Sequence, residues 1–240
     1  MKEHFLVVFI NLFSILVFSQ EVHTSGKAKN VMMGIDLSAT VALDTLLVKQ
    51  HLYALGPVDD LQGEITVFDG EVYAAEVTNK RKRNVKFQEA EGLKAPFLVY
   101  AYVPEWKTYS VEVDLQNLKD LENIVDSLGR AHGYTKTDAF PFLVEATFLE
   151  VEYHIIKRNK REKQHSHEAH NAAKIHFSNC LIPANLVGFY SRHHEGVFTH
   201  KGQFIHVHFL PKDRRITGHL DKLNHTGTVL FSLPVVSRNN

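Results

Sequence analysis

Cysteine is almost missing from this chain. Cys180 is the one thiol among 240 residues, so no intrachain disulfide can staple the fold and stability must come from burial. Net charge is missing too. The 27 Lys plus Arg balance 27 Asp plus Glu, which gives no electrostatic footprint for nucleic acid or for an anionic membrane. Beyond the first residues no apolar run is long enough to cross a bilayer. The exception, Phe5–Phe18, is 14 uncharged residues, short for a span and in the range of a signal peptide. Lys2 gives a weakly basic start, and Val17 and Ser19 fit the small-residue pattern before a cut at Gln20. Residues 1–19 are expected to be a signal peptide and the protein to be exported, to the periplasm or the medium. No cysteine follows that cut, so no lipid anchor is expected there, nor stable membrane insertion once the signal is removed.

What the chain does have is histidine, 16 in all. Three of them fall in the stretch Gln203–Asp221, which reads as a β-hairpin. His206 and His208 are two apart on one strand and share a face. If that strand pairs with Ile216–Asp221 around a turn centred on Asp213–Arg214, His219 lies directly opposite His208, on the same face. Three imidazoles then converge, and catalytic zinc takes three protein ligands plus an open position. The same register puts Asp221 opposite His206, as a partner for its other ring nitrogen. Ile205, Val207, Phe209, Ile216 and Leu220 form the opposite, core face.

The remaining chain, about 220 residues, suits one large domain or two small ones. Residues 20–35 are expected to be a flexible segment, and Asp36–Leu55 a helix stopped by Gly56-Pro57. Glu64–Asp69 and Glu71–Val77 form a hairpin around Asp69-Gly70. Phe97–Val103 and Thr108–Val113 read as strands. Asp114 is placed to cap a helix with Leu115, Leu118, Val125 and Leu128 on one stripe. Phe140–Ile156 is a long strand with room for a bulge. Residues 157–174, KRNKREKQHSHEAHNAAK, are a polar surface loop carrying His165, His167 and His170. Residues 36–138 are therefore expected to form an amino-terminal sheet domain and residues 139–240 an antiparallel-sheet domain that carries the histidines.

The ordered set Leu55-Gly56, Leu61-Gln62-Gly63-Glu64-Ile65, Asp69-Gly70, Phe142–Phe148, Gly188-Phe189-Tyr190, His206-Val207-His208-Phe209, Asp213-Arg214 and Gly218-His219 resembles α-acetolactate decarboxylases, from about Leu37 to Leu223. That resemblance implies an α+β fold with a mixed sheet in the first half and an antiparallel sheet in the second. It implies zinc on His206, His208 and His219, and conversion of 2-acetolactate to acetoin and CO2 through a Lewis-acid-stabilised enediolate. Glu64 matches the glutamate of the family's Gly-Glu motif and is the candidate proton donor. Three departures stand out. Pro57 replaces a threonine of active members, His154 falls where they place an arginine, and a glutamate from their longer carboxy-terminal tail has no counterpart before Asn240. Lys157 or Arg158 are the cations nearest in sequence to compensate for the arginine.

Two other readings follow from the same residues. One is a metal-binding homologue without this decarboxylation, or acting on another small oxo-acid. The other is a non-enzymatic metal buffer using the His165–His170 loop. A cupin, which also uses a His-x-His pair, is set aside because no Glu follows and the third histidine is too close. The expected partner is a small oxo-acid, with a homodimer as the assembly allowed for.

Overall fold

The computed structural model describes residues 21–235 apart from 82, 163 and 164. The expected signal peptide, residues 1–19, lies outside the described residues. In chain order, strand β1 (His23–Ser25) and helix α1 (Ala28–Met32) lead to β2 (Val41–Ala42) and a 3-10 turn at Leu43–Thr45. Then come β3 (Leu52–Pro57), β4 (Glu64–Phe68), β5 (Glu71–Asn79), β6 (Asn84–Phe87), β7 (Lys94–Ala95) and β8 (Leu98–Tyr102). They are followed by β9 (Trp106–Leu115), α2 (Leu118–Ala131), β10 (Phe140–Ile156), α3 (His167–Ala173), β11 (Lys174–Tyr190), β12 (Ile205–Pro211) and β13 (Gly218–Pro234).

The strands make a six-stranded sheet, β1-β8-β3-β4-β5-β6, a five-stranded sheet, β10-β11-β12-β13-β9, and a small β2-β7 pair. The class is α+β, as expected. One refinement concerns the first sheet, whose ladders are all antiparallel. Its successive strands β3 to β6 are joined by short turns, whereas a parallel pair needs a long crossover. The Asp69-Gly70 turn is the tight one: both residues have positive φ (52° and 83°), which matches the twist of a two-residue hairpin. The sheets do not divide at residue 138, because β9 runs along β13 from Pro234↔Trp106 to His225↔Leu115.

Strand parity sorts the core. In β4, Ile65 and Val67 pack with Leu52, Ala54 and Ala74 inside the first sheet's cluster. Glu64 and Thr66, on the other face, are buried toward the second sheet. In β3 the alternation repeats, with Tyr53 and Leu55 joining Phe97, Val187 and Phe189 in a cluster that spans the seam. The second sheet closes over Phe142, Phe148, Phe209 and Phe231, each fully buried. Each such side chain contributes about 1.5–3 kcal/mol of transfer free energy.

Four expectations fail, for identifiable reasons. The helix over Asp36–Leu55 is instead β2, the 3-10 turn and β3, because Leu52–Leu55 is buried on both faces and tertiary burial overrides helix propensity. The segment 20–35 is not a loose spacer: β1 pairs with β8, Ala28 N–H bonds Val197 O at 2.8 Å, and Ala28 and Val31 are buried. Helix α2 is capped by Asn117, whose side chain accepts from Lys119 N at 2.8 Å and Asp120 N at 3.1 Å. Asp114 and Leu115 stay in β9. The polar stretch 157–174 contains α3, capped by Ser166, and it buries His170.

Asp126 ties α2 to the second sheet. Its carboxylate accepts from Tyr190 Oη and from Arg192 Nε at 3.1 Å, and pairs with Arg130 at 2.9 Å. Burial pushes this carboxyl up, but the hydrogen bonds from Tyr190 and Arg192 outweigh burial and hold it below the usual carboxylate value. Asp126→Asn is expected to cost about 1–3 kcal/mol in chemical unfolding at neutral pH. A depressed carboxyl contributes fully above its unfolded value, about 3.9, and loses its contribution as pH falls through the lower folded value. The gap between wild type and variant should therefore close on the acid side; a gap that stays constant there contradicts this role.

Candidate metal centre

β12 and β13 meet at His208↔His219 and Phe209↔Gly218, the register expected from the turn. β13 then leaves β12 and pairs with β10, through His154↔His219 and Tyr153↔Leu220. That transfer needs a close approach at Gly218, where a Cβ would stand 2.6 Å from the His154 carbonyl oxygen. The next pair along β10 is Glu152↔Lys222, which leaves Asp221 as a bulge residue without a partner across the ladder. Asp221 is thus turned away from His206, correcting the expected pairing. Its carboxylate accepts from His154 Nδ1 at 2.8 and 2.9 Å and lies 3.2 Å from His176 Nδ1.

His206, His208 and His219 offer one nitrogen each, all within 4.8 Å of one another. Zn–N bonds of about 2.0–2.1 Å set nitrogens roughly 3.3 Å apart, so a cation would draw the triangle in. Burial pushes all three imidazoles down, His208 to about 3, and neighbouring histidines add to the effect on each. They are neutral, which is the ligand form.

The tautomer of His208 follows from its hydrogen bonds. The Phe209 carbonyl only accepts, so Thr217 Oγ1 donates to it at 2.8 Å. With its one proton spent, Thr217 must accept from Thr66 Oγ1 at 2.6 Å. Thr66 must then accept from His208 Nδ1–H at 2.9 Å. His208 Nε2 is left with a bare lone pair. It is buried, and so is His206 Nδ1, and neither has a hydrogen-bond partner among the described residues. A buried acceptor without a partner costs about 1–3 kcal/mol, and a divalent cation is the ligand that two or three such nitrogens fit.

His206 and His219 of the triangle line a cavity of about 50 Å³ that also receives Glu64, His154, His170, Lys174 and His200, together with the apolar side chains of Val31, Met32, Phe97 and Phe198. Glu64 is 4% exposed, with Oε2 3.8 Å from His208 Nε2. Burial pushes its carboxyl well above the usual range, and Asp221 adds to this. A backbone hydrogen bond from Ile156 and the Lys174 charge oppose it without restoring an ordinary carboxylate. His154 is buried and its ring lies 4.8 Å from that of His219. Because Nδ1 serves Asp221, Nε2 is its remaining polar atom. Burial holds His154 below the ordinary imidazole value despite Asp221. Pro57 lines the pocket as well.

Lys157 and Arg158 do not enter. Lys157 Nζ pairs with Glu76 at 2.5 Å and Arg158 with Asp60. The loop histidines split: His167 stays exposed, while His170 turns inward with His165 beside it, Nε2 of His165 lying 3.4 Å from Nδ1 of His170. The groups of three donors that could hold a metal among the described residues are the His206 triangle and His154–His176–Asp221, so the loop does not assemble a site of its own. Thr66, Lys174 and His200 went unread in the sequence, and His170 was read only as part of the polar loop. Thr66 carried a signal, standing two residues from Glu64 on one strand face. The other three lie in segments without periodicity.

Rigid strands, closely grouped imidazoles and a buried carboxyl around a small cavity define an α+β protein whose site could hold a cation beside a small molecule. The family model described as alpha-acetolactate decarboxylase matches residues 18–236. The chain belongs to that family, one of metal-dependent decarboxylases acting on a small molecule. Alpha-acetolactate decarboxylase from Bacillus subtilis strain 168 is similar in fold, at 16% identity and TM-score 0.71, over 89% of this chain and 85% of that one. A Staphylococcus aureus protein of unknown function similar to alpha-acetolactate decarboxylase gives 16% identity and TM-score 0.70, over 88% and 84% of the two chains. No curated protein matches this chain by sequence.

Thr66→Val removes the acceptor that fixes His208. Divalent-cation titration of the purified protein should then show affinity reduced about 10–100-fold. Unchanged affinity would remove Thr66 from the account.

Proposed function

We propose that this chain is an exported decarboxylase of 2-hydroxy-3-oxo acids, converting 2-acetolactate to acetoin and CO2. The observation that carries this reading is the juxtaposition of bare, neutral imidazole nitrogens with the buried, proton-holding Glu64 across one small pocket. His206, His208 and His219 would hold the cation, zinc by preference for three imidazoles and an open position. It would supply a Lewis acid for the negative charge that develops as CO2 leaves.

The chain's own residues do the rest. Breaking the C–C bond to the carboxylate leaves its electron pair delocalised over the adjoining carbonyl. One proton must then reach the carbon that lost CO2, and Glu64 is placed to deliver it. The apolar lining keeps bulk water from competing for the developing charge. Asp221 holds the His154 ring against the wall.

A second reading is favoured by Pro57 and His154, both pocket-lining where the resemblance leads one to expect threonine and arginine. It is a cation-binding homologue that acts on a different oxo-acid. The test is acetoin release from acetolactate by metal-loaded mature protein. Glu64→Gln should keep about one cation per chain while turnover falls about 10²–10⁴-fold. His208→Ala should lose cation and turnover together. Full metal occupancy with no acetoin from wild type would sink the first reading in favour of the second.

A further inference from the structure

The pocket holds one positive side chain that no role above absorbs. Lys174 opens β11 and pairs with Ile156, and two residues on His176 pairs with His154. Residues two apart share a strand face and directly opposed residues share it too. Lys174, Ile156, His154 and His176 therefore occupy the pocket face of the second sheet, and Lys174 is part of the pocket's lining. Its backbone is held firmly: α3 ends at Ala173, whose carbonyl accepts from Lys157 N at 2.8 Å.

The charges around it are sorted in an informative way. Lys157 and Arg158, next to the same strand, are paired with Glu76 and Asp60. Among the described residues no carboxylate oxygen comes within ion-pair distance of Lys174, and no side-chain hydrogen bond occupies it. Neither nearby acid pairs with it: Asp221, outside the lining, is engaged by His154 and His176, and the buried Glu64 lies against His208, its Oε2 3.8 Å from Nε2. The other titratable groups that line the pocket, His154, His170, His200, His206 and His219, are imidazoles and offer no negative partner. An ammonium without a carboxylate partner, in the same pocket as the cation triangle, leaves an excess of positive charge that a monoanionic ligand neutralises.

We propose that Lys174 is the anion-binding residue of this pocket, receiving the carboxylate of a 2-hydroxy or 2-oxo acid whose oxygen functions face the His206–His208–His219 triangle. The inference rests on the reading of that triangle as a cation site and names the ligand class it admits. As a flexible point charge, Lys174 would tolerate a wider range of carboxylate positions than a planar guanidinium fork.

The test uses the full mature chain loaded with Co²⁺, whose visible spectrum reports ligands entering the site. 2-Hydroxyisobutyrate is the anionic probe and 2,3-butanediol the neutral one. Lys174→Met should keep cation stoichiometry and butanediol affinity while weakening 2-hydroxyisobutyrate about 10–100-fold, the range for a charged hydrogen bond. Lys174→Arg should restore most of that affinity. Equal binding of the acid by wild type and Lys174→Met overturns the proposal, as does an equal loss for both probes or failure of wild type to bind the acid. If acetolactate is turned over, Lys174→Met should raise KM more than it lowers kcat. Lys174-dependent acid binding without acetoin release leaves this inference standing and removes the proposed reaction; normal KM in Lys174→Met does the reverse.

Discussion

The hydrogen-bond chain from the Phe209 carbonyl through Thr217 and Thr66 to His208 Nδ1 is where the two sheets become one object. Thr66 comes from β4 of the first sheet; the other three come from β12 and the turn before β13. Each bond has a forced direction because the chain starts at a group that only accepts. The fully buried seam thus does two jobs with one set of atoms, joining the sheets and fixing which nitrogen of His208 faces the pocket. Without a cation, the buried nitrogens there lack partners, so folding places a cost at this point that ligand binding offsets.

The pocket's electrostatics follow from that burial. Desolvation is the first cause of every shift among its histidines, and the same desolvation keeps Glu64 protonated. Imidazoles are made bases without charge, and a carboxyl is made an acid. Lewis-acid chemistry and proton delivery need these two states side by side. Fold similarity at 16% identity shows that the scaffold tolerates extensive sequence change.

How much was legible depends on whether a rule of parity applied. The meeting of His208 with His219 could be read because register around a turn is arithmetic, and Glu64 was reachable through its motif. Asp221 was misassigned because one bulged residue in β13 breaks that arithmetic, and no residue type announces it. The segment Asp36–Leu55 was misread because its helix formers are buried in β3 by contacts remote in sequence. Lys174 and His170 sit where a polar stretch turns inward at its end, and His200 lies in the connection before β12; composition carries no sign of either. Lys157 and Arg158 looked available until Glu76 and Asp60 appeared beside them.

The central claim is that His206, His208 and His219 together form the inner coordination shell of one divalent cation. X-ray absorption at the zinc K-edge of the metal-loaded protein tests it most directly. The account predicts a shell fitted by three imidazole nitrogens at about 2.0–2.1 Å with room for one oxygen donor. A shell dominated by carboxylate oxygens, or one that is unchanged in His219→Ala, would contradict it.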